Sequence, residues 1–180
     1  MQLVRVYVAA LGSGSDVDDD VRLQESLAAI CERARRAVPS VEPVLADFVR
    51  RLASCSRDRV PPALERAEDL ALAFAAGRGD TEALQALDAL LVASVRRAVA
   101  RIDRSPAFAD LVAQELRTRL FVGPRPRIAD YAAGGPLSSW LRSAAARIAL
   151  NLRRGRAQGV HDELSSNLRA MVAEPELDVL

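Results

Sequence analysis

Between one proline or glycine and the next, the apolar residues of this 180-residue chain recur every three or four positions, and that recurrence leaves it little choice but helix. Leu23, Leu27, Ile30, Ala34 and Val38 form one stripe, which Pro39 stops. Val44, Leu45, Phe48, Val49 and Leu52 form a second, ended by the polar run SCSRDR before Pro61 and Pro62. The stretch PPALERAEDLALAFAAGRGD opens on prolines suited to a helical first turn and closes at Gly77 and Gly79. Asp80 or Thr81 then stands where a cap is needed for a long helix with Leu84, Leu87, Leu91, Val95 and Val99 along one seam. Ser105 and Pro106 start another, with Phe108, Leu111, Val112, Leu116 and Leu120 expected inward. Pro136 begins a basic helix expected to run to about Arg154 and to be closed by Gly155. The fold class that follows is an all-α bundle.

Three stretches escape the pattern. LVRVYVAA near the N-terminus alternates like a short strand and leads into GSGSDVDDD, so residues 1–20 are expected to be a mobile acidic arm. GPRPRIADYAAGG cannot be helical throughout, and a basic connector of that length in a helical domain tends to be functional. Residues 157–180 form an acidic tail with a short amphipathic helix. The expected divisions are therefore an arm over 1–20, a helical section over 21–60, a helical domain over 61–156, and the acidic segment over 157–180.

Half of the residues are apolar, enough to bury a core. The apolar runs are too short for a membrane span or a signal peptide, which leads to the expectation of a cytoplasmic protein without membrane contact. Cys31 and Cys55 are too isolated for a disulfide framework, and His161 has no suitable spacing to join them around zinc, so neither a metal nor a cofactor is expected. No Ser/His/Asp set, phosphate-binding glycine loop or paired carboxylates can be assembled, which argues against an enzyme.

A net charge of +1 conceals segregation. Residues 1–94 carry 11 Arg against 15 acids, residues 95–160 carry 13 Arg against four, and residues 161–180 carry one Arg against five. The basic middle culminates in DYAAGGPLSSWLRSAAARIALNLRRGR, which holds the only tryptophan. At 100° per residue, Leu137, Leu141, Ala144, Ala145, Ile148 and Leu152 share the side that must pack. Trp140, Arg147 and Arg154 recur at intervals of seven on the opposite flank, beside Ser139, Arg142, Ser143 and Arg153. An indole among guanidinium groups and without carboxylates suits unstacked bases on a phosphate backbone. The Gly134–Gly135 pair just before it is read as a hinge that lets backbone approach a ligand.

From about Leu70 to Arg154 the chain resembles region 2 of bacterial RNA polymerase sigma factors of the extracytoplasmic-function (sigma-70) family, most nearly a sigma-like subgroup familiar from myxobacteria. The likeness rests on GDTEALQALDALLVASVRRAVARI, on AFADLVAQELRTRLFVG and on RIADYAAGGPLSSWLRSAAARIALNLRR. It implies a sigma region 2-like bundle with additional N-terminal helices, and a transcription initiation protein that binds core RNA polymerase and melts a promoter. By that resemblance Asp110, Leu111, Gln114, Glu115 and Arg117, with Leu120 in support, would dock on the clamp helices of the largest polymerase subunit. Tyr131, Gly134, Ser138, Ser139 and Trp140 would form the pocket for a flipped base of the non-template strand of promoter DNA. Arg147, Asn151 and Arg154 would follow the backbone of that strand, and Arg142 is counted with the DNA-binding residues. An anti-sigma factor would be a further partner.

The chain departs from the family at three points. DLVAQE displaces the family's Gln-Glu by one residue, Arg147 stands where most members have Asn, and only an acidic segment of about 20 residues follows the basic helix where members usually continue into a C-terminal helix-turn-helix domain, so that the chain is expected to be a piece of a longer protein or, as the alternative, a solitary region 2. Two further alternatives stay open at the level of sequence. One is a helical protein-interaction module that does not open DNA. The other concerns residues 21–55, outside the matched part, which either cover the basic face as a lid or extend the core.

Overall fold

Prolines and a few capping groups set the helix boundaries. In the computed structural model, residues 2–12, 21–58, 60–123 and 126–172 are described, with side chains as far as Gly155. The regular elements are α1 (Gln2–Ala10), α2 (Val21–Ala37), α3 (Leu45–Cys55), α4 (Ala67–Gly77), α5 (Thr81–Val99), α6 (Pro106–Phe121) and α7 (Leu137–Val172). Short 3-10 turns lie at Pro39–Val44, Leu64–Arg66 and Arg127–Asp130. The fold is all-α, and among the described residues no strand forms beyond one isolated bridge, Arg57 to Val60.

Helix α2 ends just before Pro39, as expected from a residue that lacks a donor. Gly79, at φ +86°, lets the chain leave α4, and the Asp80 carboxylate accepts from the Ala83 amide at 2.7 Å to start α5. Pro61 and Pro62 do not open α4: a 3-10 turn intervenes and α4 begins at Ala67.

The packing runs through all seven helices. Helix α5 lies along α7, α6 rests on both, α4 is held between α2 and α5, and α1 packs on α3. Leu27, Phe48, Leu70, Leu87, Leu116 and Leu141 belong to one continuous buried cluster. Each such side chain removed from water contributes about 1.5–3 kcal/mol. Residues 21–60 are therefore not a separate section. Phe48 of α3 meets Phe74 of α4 edge-on at 5.5 Å, and Arg33 of α2 pairs with Glu68 of α4 at 2.8 Å. These helices extend the core rather than forming a lid.

Two expectations about the chain's ends are overturned. Residues 2–10 are a docked helix, neither strand nor mobile arm, with Val4, Tyr7 and Val8 buried against α3. The Tyr7 hydroxyl donates to Ser56 Oγ at 2.7 Å, whose own hydrogen is taken by the Leu52 carbonyl at 2.8 Å. That packing outweighs the β-propensity of three valines, as tertiary contact commonly does. The remainder of the expected arm, residues 13–20, lies outside the described residues.

At the other end, α7 passes through Gly155 and continues to Val172, 36 residues and about 54 Å in all. Gly155 does not adopt the left-handed conformation of a helix stop, and no proline occurs between 137 and 172. A glycine within such a run costs only about 1 kcal/mol relative to alanine, too little to end it. The helix expected in the acidic segment is thus continuous with α7, and residues 173–180 lie outside the described residues. Among the described residues no helix is long and apolar enough to cross a membrane.

Candidate nucleic-acid interface

The segment before α7 is fixed in place by side chains from helices far upstream. Arg51 of α3 donates through Nη2 to the carbonyls of Ala129 and Tyr131, both at 2.6 Å. Asp69 of α4 accepts from the Leu137 amide at 2.9 Å and so acts as the cap that α7 lacks in its own sequence. Arg66 stands 3.7 Å from the same carboxylate. Ile128 anchors the 3-10 turn on α4, where Gly77 leaves just enough room: a Cβ there would lie 3.4 Å from Ile128 Cγ2.

Tyr131 is buried at the centre of this arrangement. Its hydroxyl donates to the Gly135 carbonyl at 2.7 Å and stands 3.5 Å from Asp69, closing a tight loop ahead of the helix. Burial first, and then the Asp69 carboxylate, push its pKa well above the ordinary tyrosine range, so it is a neutral donor. Its ring meets Trp140 edge-on at 5.8 Å. The residue forced into the left-handed region is Ala133, at φ +53°, and neither Gly134 nor Gly135 takes a positive φ. The turn is therefore not a glycine hinge of the kind expected: its one conformationally special position is occupied by a buried alanine.

Together these elements frame a groove of about 400 Å3 lined by Tyr131, Gly134, Ser139, Trp140 and Arg147 among others, with one acid, Asp130, also on its wall. Trp140 is half-buried, resting on the core with one border and lining the groove with the other. Ser143 hydrogen-bonds the Ser139 carbonyl at 3.0 Å, and Arg147 reaches back to the Ser143 carbonyl at a long 3.4 Å. Among the described residues none of Arg142, Arg147, Arg153 and Arg154 is paired with a carboxylate. An aromatic plane, hydroxyls, and unpaired guanidinium charge thus face one concave space, a combination suited to a planar ring attached to an anion.

The residues expected to contact DNA divide into three groups. Tyr131, Gly134, Ser139, Trp140 and Arg147 line the groove, Tyr131 from a buried position. Ser138 is half-buried and not part of its wall, and Arg142 turns to donate to Ser139 Oγ at 2.7 Å. Asn151 and Arg154 are exposed further along α7, one and two turns beyond Arg147.

The second set lies on α6, where Asp110, Leu111 and Gln114 are exposed together. Leu111, expected inward, is 41% exposed, an isolated apolar group on an otherwise polar face. Glu115 pairs with Arg119 at 2.8 Å, and Arg117 makes a two-pronged contact with Asp88 of α5 at 2.6 and 3.0 Å. Leu120 is in the core.

Arg51 and Asp69 carry no local mark in the sequence. The carbonyls held by Arg51 are 78 and 80 residues away and the amide capped by Asp69 is 68 away, separations that helical periodicity does not register. The lack of an acid in the first turn of α7 is no pointer to Asp69, because α1, α2 and α6 lack one as well. No protein-family model matches the chain, and no curated protein or solved structure is significantly similar to it.

Proposed function

We infer that this protein is a sigma-like transcription initiation module: it binds core RNA polymerase through α6 and captures an unstacked promoter base in the groove beside Trp140. The observation that carries the reading is the groove itself, where one indole, supported by Tyr131, meets the Ser139 hydroxyl and the unpaired Arg147. Stacking a base on an aromatic ring contributes about 1–3 kcal/mol, comparable to the few kcal/mol needed to unstack it. One indole therefore holds a base that is already out of the duplex, and the polymerase supplies the remaining work. The hydroxyls and backbone groups of the loop give preference among bases, and the arginines give affinity that falls with salt. The role is binding without chemistry. On α6, the exposed Asp110, Leu111 and Gln114 supply an apolar contact with a polar rim for the clamp helices.

The reading is tested by gel filtration with bacterial core RNA polymerase, with and without an established sigma factor as competitor. A fork-junction promoter is then added. Competable co-elution is expected for the native protein, loss of it for Leu111→Asp, and loss of promoter binding with retained co-elution for Trp140→Ala. Absence of competable co-elution at low salt overturns the initiation role. If a protein partner is instead retained while Trp140→Ala and Arg147→Ala change nothing, the helical interaction module is the correct reading.

A further inference from the structure

A second concentration of positive charge lies away from the groove, at the corner between α5 and α6. Arg96, Arg97, Arg101 and Arg104 are all exposed within nine residues of chain. Among the described residues none of them has a carboxylate at ion-pair distance. Arg96 and Arg104 converge on a cleft of about 390 Å3, whose floor is made by Val99, Ala100, Pro106 and Ala109. Two acids border this cleft. Asp103 is engaged with the Ser105 amide at 2.8 Å, and Asp110 stands at the α6 wall.

This corner joins the flank of α7. Arg153 donates to the Ile102 carbonyl at 3.0 Å, which brings an α7 guanidinium onto the α5–α6 turn that carries Arg101 and Arg104 in its sequence. From there Arg154, Asn151 and Arg147 lead back along α7 to the groove, Arg147 and Arg154 being about 10 Å apart along the axis. Positive charge thus extends from the corner onto α7 instead of ending at one point, and each charged member is arginine, whose planar fork matches phosphate oxygens in pairs.

We propose that the α5–α6 corner, bridged by Arg153 to α7, is a second contact for a nucleic-acid backbone, separate from the groove that takes the base. A polyanion with regularly spaced phosphates is the ligand that satisfies both ends of such a stretch of charge at once, since its charge repeats at short intervals along its axis. The proposal deepens the reading of α7 as a nucleic-acid surface and rests on that reading for the identity of the partner, but its charge-based footprint is independent of Trp140.

The test uses the whole chain and fluorescein-labelled DNA of one sequence in two forms, a duplex and a single strand, titrated by anisotropy between about 50 and 200 mM KCl. Arg96→Gln/Arg104→Gln is expected to flatten the plot of log affinity against log salt by roughly 2 on duplex DNA, since each lost phosphate contact removes about 0.9. Arg96→Lys/Arg104→Lys, which keeps the charge, is expected to preserve most of the slope. Trp140→Ala should lower affinity for the single strand and leave the slope unchanged. The corner is overturned if the double Gln variant, with unchanged circular dichroism, keeps the native slope, or if the native protein binds neither DNA form at low salt. A normal Trp140→Ala together with a flattened double variant would sink the base-capture reading while sustaining the corner.

Discussion

The hydrogen bonds of Arg51 span 78 and 80 residues of sequence. The residue sits on a helix that the family resemblance does not cover, yet it holds two carbonyls at the end of the 3-10 turn that leads into the groove. Hydrogen bonds from a charged donor contribute about 1.5–3 kcal/mol when buried and less at a half-exposed site such as this. Arg51→Ala is therefore expected to lower stability by about 1–2 kcal/mol in urea denaturation. It should also loosen the loop around Tyr131, so that the emission of Trp140, the only tryptophan, moves to longer wavelength in the folded state. An unchanged emission spectrum would show that the loop is held well enough by Asp69 and Tyr131 alone. Arg142, by contrast, makes only a local bond, from Nη2 to Ser139 Oγ three residues away on its own helix.

Helices were the legible scale of this sequence. The stripes at Leu23 to Val38 and Leu87 to Val99 are buried as the 3.6-residue period demands, and Pro39, Asp80 and Pro106 act at the boundaries where their chemistry puts them. The failures share a cause. At Val4, Val6 and Val8 a strand-like alternation yielded to docking on α3, and at Leu111 the stripe was drawn too wide. Gly155 tolerates a helix stop without imposing one, and α7 runs through it. Of the groove, the Trp and Arg positions were legible from their spacing of seven, whereas the braces from α3 and α4 were not, because local pattern carries no information about partners so distant in sequence. The continuity of α7 has its own test. With open space around a Cβ and a helical backbone, Gly155→Ala should raise stability by up to about 1 kcal/mol in thermal or urea melts. A destabilised variant would mean that the glycine is a left-handed stop after all.

For the molecule as a whole, both tyrosines lie inside the one core, Tyr7 at the N-terminal helix and Tyr131 beneath the groove, and burial raises the pKa of each. A raised folded pKa means that the stabilising contribution is intact below the unfolded value of about 10 and is lost as pH climbs above it, because the unfolded chain releases a proton the native chain retains. The Cys31 thiol, pushed up to about 11 chiefly by burial, acts with the same sign from about 8.5 upward. Stability should thus fall by about 1.4 kcal/mol per pH unit for each such group in its window. Tyrosinate absorbance is expected to rise together with loss of helical circular dichroism; a tyrosinate signal near pH 10 in a fully helical protein would contradict it. The Asp69 cap has a consequence in time as well. Arg51 and Asp69 leave the ribosome well before the segment they secure, and at about 5–20 residues per second the interval between Asp69 and Leu137 is roughly 3–14 s. During synthesis the braces are therefore already in solution, and free to assemble with α1 to α4, before the tryptophan helix exists to receive them.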